Sequence, residues 1–121
     1  MVNNSSYSAA IRSLWCDRCT VTIKRNTVNP KGRTIQSDET LFAHVPCRLS
    51  FKNISVPDDT SQAAKTVQVT VLILDREWRV PAGSKITVTH EGVTREYDRA
   101  GIPAVYSAHQ EIPLVLRKEW V

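Results

Sequence analysis

The stretch Leu41-Phe42-Ala43-His44-Val45-Pro46-Cys47-Arg48-Leu49-Ser50-Phe51-Lys52 decides the fold class. Leu41, Ala43, Val45, Cys47, Leu49 and Phe51 take every second position. His44, Pro46, Arg48, Ser50 and Lys52 take the alternate ones, and Phe42 is the exception. Successive side chains of a strand point to opposite faces, so this pattern describes a strand with one face in a core and the other in water.

The same period recurs on both sides of it. CTVTIKR (19–25) sets Cys19, Val21 and Ile23 against Thr20, Thr22 and Lys24, and KTVQVTVLIL (65–74) lines up Val67, Val69, Val71 and Ile73. SKITVTHEGVTREYD (84–98) reads as two strands joined at Glu91-Gly92, where glycine supplies the positive φ of a tight hairpin. EIPLVLRKEW (111–120) turns Ile112, Leu114 and Leu116 inward, and Pro113 suits an edge or a strand start. Helix is scarce: Ser6 or Ser8 can cap one short turn through SAAIRSLW (8–15), with Ile11, Leu14 and Trp15 on one side. NTVNPKGRTIQSDE (26–39) and NISVPDDTSQAA (53–64) read as two long polar loops. The expectation is an all-β fold, a small antiparallel barrel or sandwich with a short N-terminal helix and two long loops. Its core is expected to hold Val45, Cys47, Leu49, Val69, Val71, Ile86, Val88, Leu114 and Leu116.

A chain of 121 residues is expected to form one domain over 1–121, with 1–13 a flexible segment or short helix. Three cysteines, two of them three residues apart, make no disulfide framework and suit a reducing compartment. The N-terminus lacks the basic and apolar regions of a secretion signal, and the longest apolar run, Val71 to Leu74, falls far short of the roughly 18 residues of a membrane span. A soluble, intracellular protein is expected. Sixteen basic against twelve acidic residues give a net charge of +4 with the charges scattered. The nearest cluster is Lys24, Arg25, Lys31 and Arg33, which reads first as the solvated face of a hairpin.

Cys16-x-x-Cys19 followed by His44-x-x-Cys47 spells a four-ligand zinc set. Periodicity argues against it. Positions i and i+3 of a strand face opposite ways, so His44 and Cys47 cannot share an ion, and Cys19 heads an apolar face where a free cysteine acts as a small hydrophobe. No cofactor is therefore expected. Ser107 and His109 lie close in sequence but lack a nucleophile elbow, and on a strand both would sit exposed beside Tyr106. Asp58-Asp59 has no apolar setting to raise a pKa, and four glycines build no phosphate cradle. The residues point away from an enzyme.

Several phrases together resemble the head–tail connector proteins of tailed bacteriophages of Gram-positive hosts, of the stopper or head-closure type, and their relatives in defective PBSX-like prophage elements of Bacillus. They begin with L-x-x-D-R-x-T-V, seen as Leu14, Asp17, Arg18, Thr20 and Val21, and with PCRLS at Pro46–Ser50 before a long polar loop. PAGSKITV at Pro81–Val88 and AVYSAHQEIPLVL at Ala104–Leu116 follow, so the resemblance covers about residues 14 to 120. It departs in the first dozen residues and in Cys16-x-x-Cys19.

The resemblance implies a structural protein that forms a homo-oligomeric ring between portal or adaptor and tail, closing the filled head and supporting tail attachment. Its partners would be itself, the portal or adaptor, tail proteins and packaged DNA held without sequence specificity, with no membrane involved. It would occur in the bacterial cytoplasm during assembly and then at the particle's neck. By position, the segment from Lys52 to Lys65 would enter the channel, with Asn53, Asp58, Asp59, Thr60, Ser61 and Gln62 toward the DNA. Acidic and small polar side chains there favour sliding over sticking, because Lys and Arg supply adhesion to phosphate. The alternative is a small basic OB-like barrel that binds nucleic acid, zinc-loaded or not. It would stack bases on exposed aromatics such as Trp78, Tyr97, Tyr106 and Trp120.

Overall fold

The computed structural model describes residues 9–10, 12–57 and 65–118. Seven antiparallel strands form one sheet: β1 (Asp17–Val28), β2 (Thr34–Val56), β3 (Lys65–Leu74), β4 (Lys85–His90), β5 (Val93–Arg99), β6 (Ala104–Val105) and β7 (Gln110–Leu116). Their order is β3-β2-β1-β4-β5-β7-β6, and β3 also pairs with β7. The pairings among β1, β2, β3, β7, β5 and β4 therefore run in a circuit around the core, with β6 beside β7. Of the expected helical turn, Ala9, Ala10 and Arg12 are helical, and the Ser13 N–H donates to the Ala9 carbonyl at 3.1 Å. Trp15 is buried there while Leu14 is exposed.

The core gathers Cys19, Val21, Phe42, Val45, Cys47, Leu49, Leu72, Leu74, Ile86, Val88, Tyr97, Ile112 and Leu114. Several alternating faces land as their periods require. Other expectations do not. Phe42 is buried, whereas Leu41 and Ala43 are exposed. Two irregularities in the β1–β2 register cause this: Cys19 pairs with Val45 but Val21 with Phe42, and Thr22 pairs with Thr40, so β2 carries an extra residue at each step. Each bulge shifts the phase of the strand. His44, at φ 53, takes the turn of the first bulge, and its N–H donates to Thr20 Oγ1 at 3.1 Å.

In β3 the buried pair is Leu72 and Leu74, while Val69 and Val71 are half-buried. The run VLIL is apolar at every position, so alternation could not tell its two faces apart. Leu116 is exposed because it lies beyond the β3–β7 pairing, which ends at Leu114, and at the last β5 partner, Tyr97.

The 26–39 segment is a hairpin and not a loop. β1 and β2 stay in register from Ile23–Glu39 to Val28–Thr34. Asn29 Oδ1 closes the turn by accepting the N–H groups of Lys31 (3.0 Å) and Arg33 (2.8 Å), and Gly32 sits at φ 79. The β4–β5 turn is as expected, with Glu91 and Gly92 both at positive φ, the geometry of a type I′ hairpin.

Candidate functional site

β2 has 23 residues, about 75 Å at 3.3 Å per residue, and only its middle, Phe42 to Leu49, contributes buried side chains. Both ends continue as two-stranded arms. On the first arm, 24–28 of β1 pairs with 34–38 of β2 and every one of these residues is exposed, Val28 and Ile35 included. Its charges are mixed: Arg25 pairs with Glu39, and Lys24 lies opposite Asp38. On the second arm, Phe51 to Val56 of β2 pairs with Lys65 to Thr70 of β3, leaving Phe51, Ile54 and Val56 exposed. Lys52 reaches from its root toward Glu111, at 3.8 Å.

A lone two-stranded ribbon is marginal in water, because each residue has few neighbours to bury against. Exposed apolar groups on such ribbons mark surfaces that gain stability from a partner. Of the expected channel residues, Asn53 lies on the second arm opposite Gln68 and is exposed. Asp58, Asp59, Thr60, Ser61 and Gln62 lie outside the described residues. The 53–64 loop expected from composition therefore begins as strand as far as Val56.

The structure splits the zinc pattern into a buried pair, Cys19 and Cys47, and two exposed residues, Cys16 and His44. Cys19 and Cys47 are buried in the core, where Cys47 has a hydrogen bond with the Cys19 thiol; that contact and burial push the Cys47 thiol far above its ordinary range. Cys47 is thereby held as a thiol, the opposite of what a metal ligand needs. Cys16 and His44 are exposed. Among the described residues no three metal-ligating side chains come together.

Ser107 and His109 fall in the turn between β6 and β7, where the Tyr106 N–H donates to the His109 carbonyl at 2.8 Å. His109 is not solvated as a strand residue would be. Its ring stacks on Tyr106 at 4.8 Å and meets Glu111 Oε2 at 3.1 Å. Tyr97, counted among exposed stacking aromatics, is buried, and Trp78 packs on Phe42 at 4.8 Å; Trp120 lies outside the described residues.

Sequence reasoning missed a buried polar junction. Asp17 is 6% exposed, and its carboxylate accepts the Leu49 N–H at 2.8 Å and meets His90 Nδ1 at 2.9 and 3.0 Å. Leu49 lies two residues past Cys47, the partner of Asp17 and the first β2 pairing with β1. The carboxylate thus replaces the strand that β1 does not supply. Asp17 belongs to the L-x-x-D-R-x-T-V phrase, but only the register shows what it holds.

No family model matches the chain. No curated protein matches it either. Among solved structures its fold is similar to that of protein xkdH of the phage-like element PBSX from Bacillus subtilis, over 82% of this chain and 91% of that one, with a TM-score of 0.50 and 14% identity. At that identity the two share a fold.

Proposed function

We propose that this protein is a structural neck component of a tailed phage or phage-like element. Copies form a ring between portal or adaptor and tail, close the filled head and support tail attachment. The observation that carries the reading is the shared fold with a phage-like-element protein, spanning nine-tenths of that chain. The sequence phrases that resemble the connector type support it.

The two arms of β2 suit such a role physically. Each carries exposed backbone edges and apolar side chains that a neighbouring copy can cover, and a head-to-tail contact repeated by rotation closes a ring. By the connector resemblance, Asp58-Asp59 would face the channel and repel the phosphates of passing DNA. The role is structural and not catalytic, its partners are protein surfaces and non-specifically held DNA, and no membrane is involved. Assembly takes place in the bacterial cytoplasm.

The experiment is immunogold labelling of an epitope-tagged chain in purified particles. The label is expected at the head–tail junction. Label at the tail tip, over the head shell, or absent from particles contradicts the reading.

A further inference from the structure

We infer that the cleft between the 75–82 turn and the 99–106 segment is a docking site for an acidic segment of another protein, with carboxylates on its arginines and an apolar side chain against Trp78 and Ile102. The cleft has a volume of about 800 Å3. Arg76, Arg79 and Arg99 line it against a single carboxylate, Glu77. Among the described residues none of the three pairs with a carboxylate, and the nearby Asp75 is already taken by Arg12.

Two of the three arginines are positioned in advance. Arg76 Nη1 donates to the Tyr106 carbonyl at 3.2 Å and Arg99 Nη1 to the Val80 carbonyl at 2.9 Å. A guanidinium has five N–H donors in a planar fork, so one bond to a carbonyl fixes its place and leaves donors for a carboxylate. Arg79 makes no hydrogen bond among the described residues and is exposed.

Both walls are fixed from beneath. Gln110 is 4% exposed and spends its Nε2 on two carbonyls of the turn, Asp75 (2.9 Å) and Trp78. Ser84, fully buried, donates to the Pro81 carbonyl at 2.5 Å. The Ala100 N–H donates to the Pro113 carbonyl at 2.8 Å, and a Cβ at Gly101 would meet Pro113 Cγ at 3.1 Å, so the second wall lies tight on β7. A surface built this rigidly loses little freedom on binding.

Its apolar part is out of place on a free surface. Ile102 is 86% exposed, and Val105 and Trp78 are exposed beside it. Trp, Arg and exposed aliphatics in one cleft match the anchors of protein interfaces. Exposed aliphatic Ile102 and Val105 suit an apolar side chain of a protein segment rather than a stacked base. The inference goes beyond the neck reading and does not depend on it.

The test selects a library of displayed random peptides on the full-length chain and measures a selected peptide by fluorescence anisotropy against wild type, Arg79→Glu and Ile102→Asp. Oligothymidylate binding and self-association by sedimentation are measured on the same proteins. Enriched peptides are expected to carry carboxylates around an aliphatic or aromatic residue. Either substitution should weaken binding by about tenfold or more with unchanged melting, since a charge-assisted pair or an apolar anchor is lost. Should a variant melt early, Arg79→Gln and a salt titration of the wild type give the same readout. Peptides without carboxylates, or binding indifferent to the substitutions, would overturn the inference. So would oligothymidylate binding abolished by Arg79→Glu, which makes the cleft a nucleic-acid site. Self-association abolished by Ile102→Asp would overturn it too, because the occupant is then a second copy.

Discussion

Asp17→Ala should be among the most damaging polar substitutions in this chain. The carboxylate serves β2 through the Leu49 N–H at 2.8 Å and β4 through His90 Nδ1 at 2.9 Å, so three strands converge on one 6%-exposed side chain. Alanine removes charge-assisted hydrogen bonds worth about 1.5–3 kcal/mol and leaves a backbone N–H beside buried Leu49 without a partner, which costs about 1–3 kcal/mol. These overlap, and the expected total is about 3–4 kcal/mol. Asp17→Asn is the control: its carbonyl oxygen still accepts the Leu49 N–H, and its amide can donate to His90 Nδ1, so the expected loss is about 1 kcal/mol. Urea unfolding of both variants measures this, the midpoint falling far more for alanine than for asparagine at an unchanged slope. Equal losses in the two variants would refute the reasoning, because the N–H acceptor would then carry no weight.

Other consequences follow from the bulge, the cysteines and the second arm. His44→Gly should leave stability within about 0.5 kcal/mol of wild type, whereas His44→Val should lose about 1–2 kcal/mol, since position 44 sits at φ 53; chemical denaturation separates them. Melting curves with and without a strong chelator should superimpose, because Cys19 and Cys47 are buried apart from the exposed Cys16 and His44 and a structural zinc would contribute about 10 kcal/mol or more. Deleting Asp58 to Ala63 should leave melting of the isolated protein intact, since the core strands are untouched, but should let DNA escape from filled heads before tails attach. Retention equal to that of the full-length chain would move the gate to the Asn29–Arg33 hairpin tip.

The fold class was legible because the core strands alternate: Val45-Cys47-Leu49 and Ile86-Val88 lie buried as their period requires. What escaped the sequence had physical reasons. A bulge adds a residue without changing composition, so nothing in LFAHV announced that Phe42 would displace Leu41 and Ala43 from the core. The first arm is solvated on both faces, and a strand wet on both sides has no period to read; Thr27, Val28, Thr34 and Ile35 held the only hint of strand. In VLIL both faces are apolar, and only pairing with β2 and β7 selects Leu72 and Leu74. The Asp17–His90 junction joins residues 73 apart, and the arginine cleft joins the 75–82 turn to the 99–106 segment; neither can be seen before the strands are placed.

The central claim, a structural place in the neck, is tested most directly by deleting the gene from the phage or phage-like element that encodes this chain and viewing the products by electron microscopy. The account predicts separate tails and tailless heads that have packaged DNA and then lost it, with tailed particles restored when the full-length chain is supplied in trans. Tailed, DNA-filled particles made in normal numbers without the protein would contradict it.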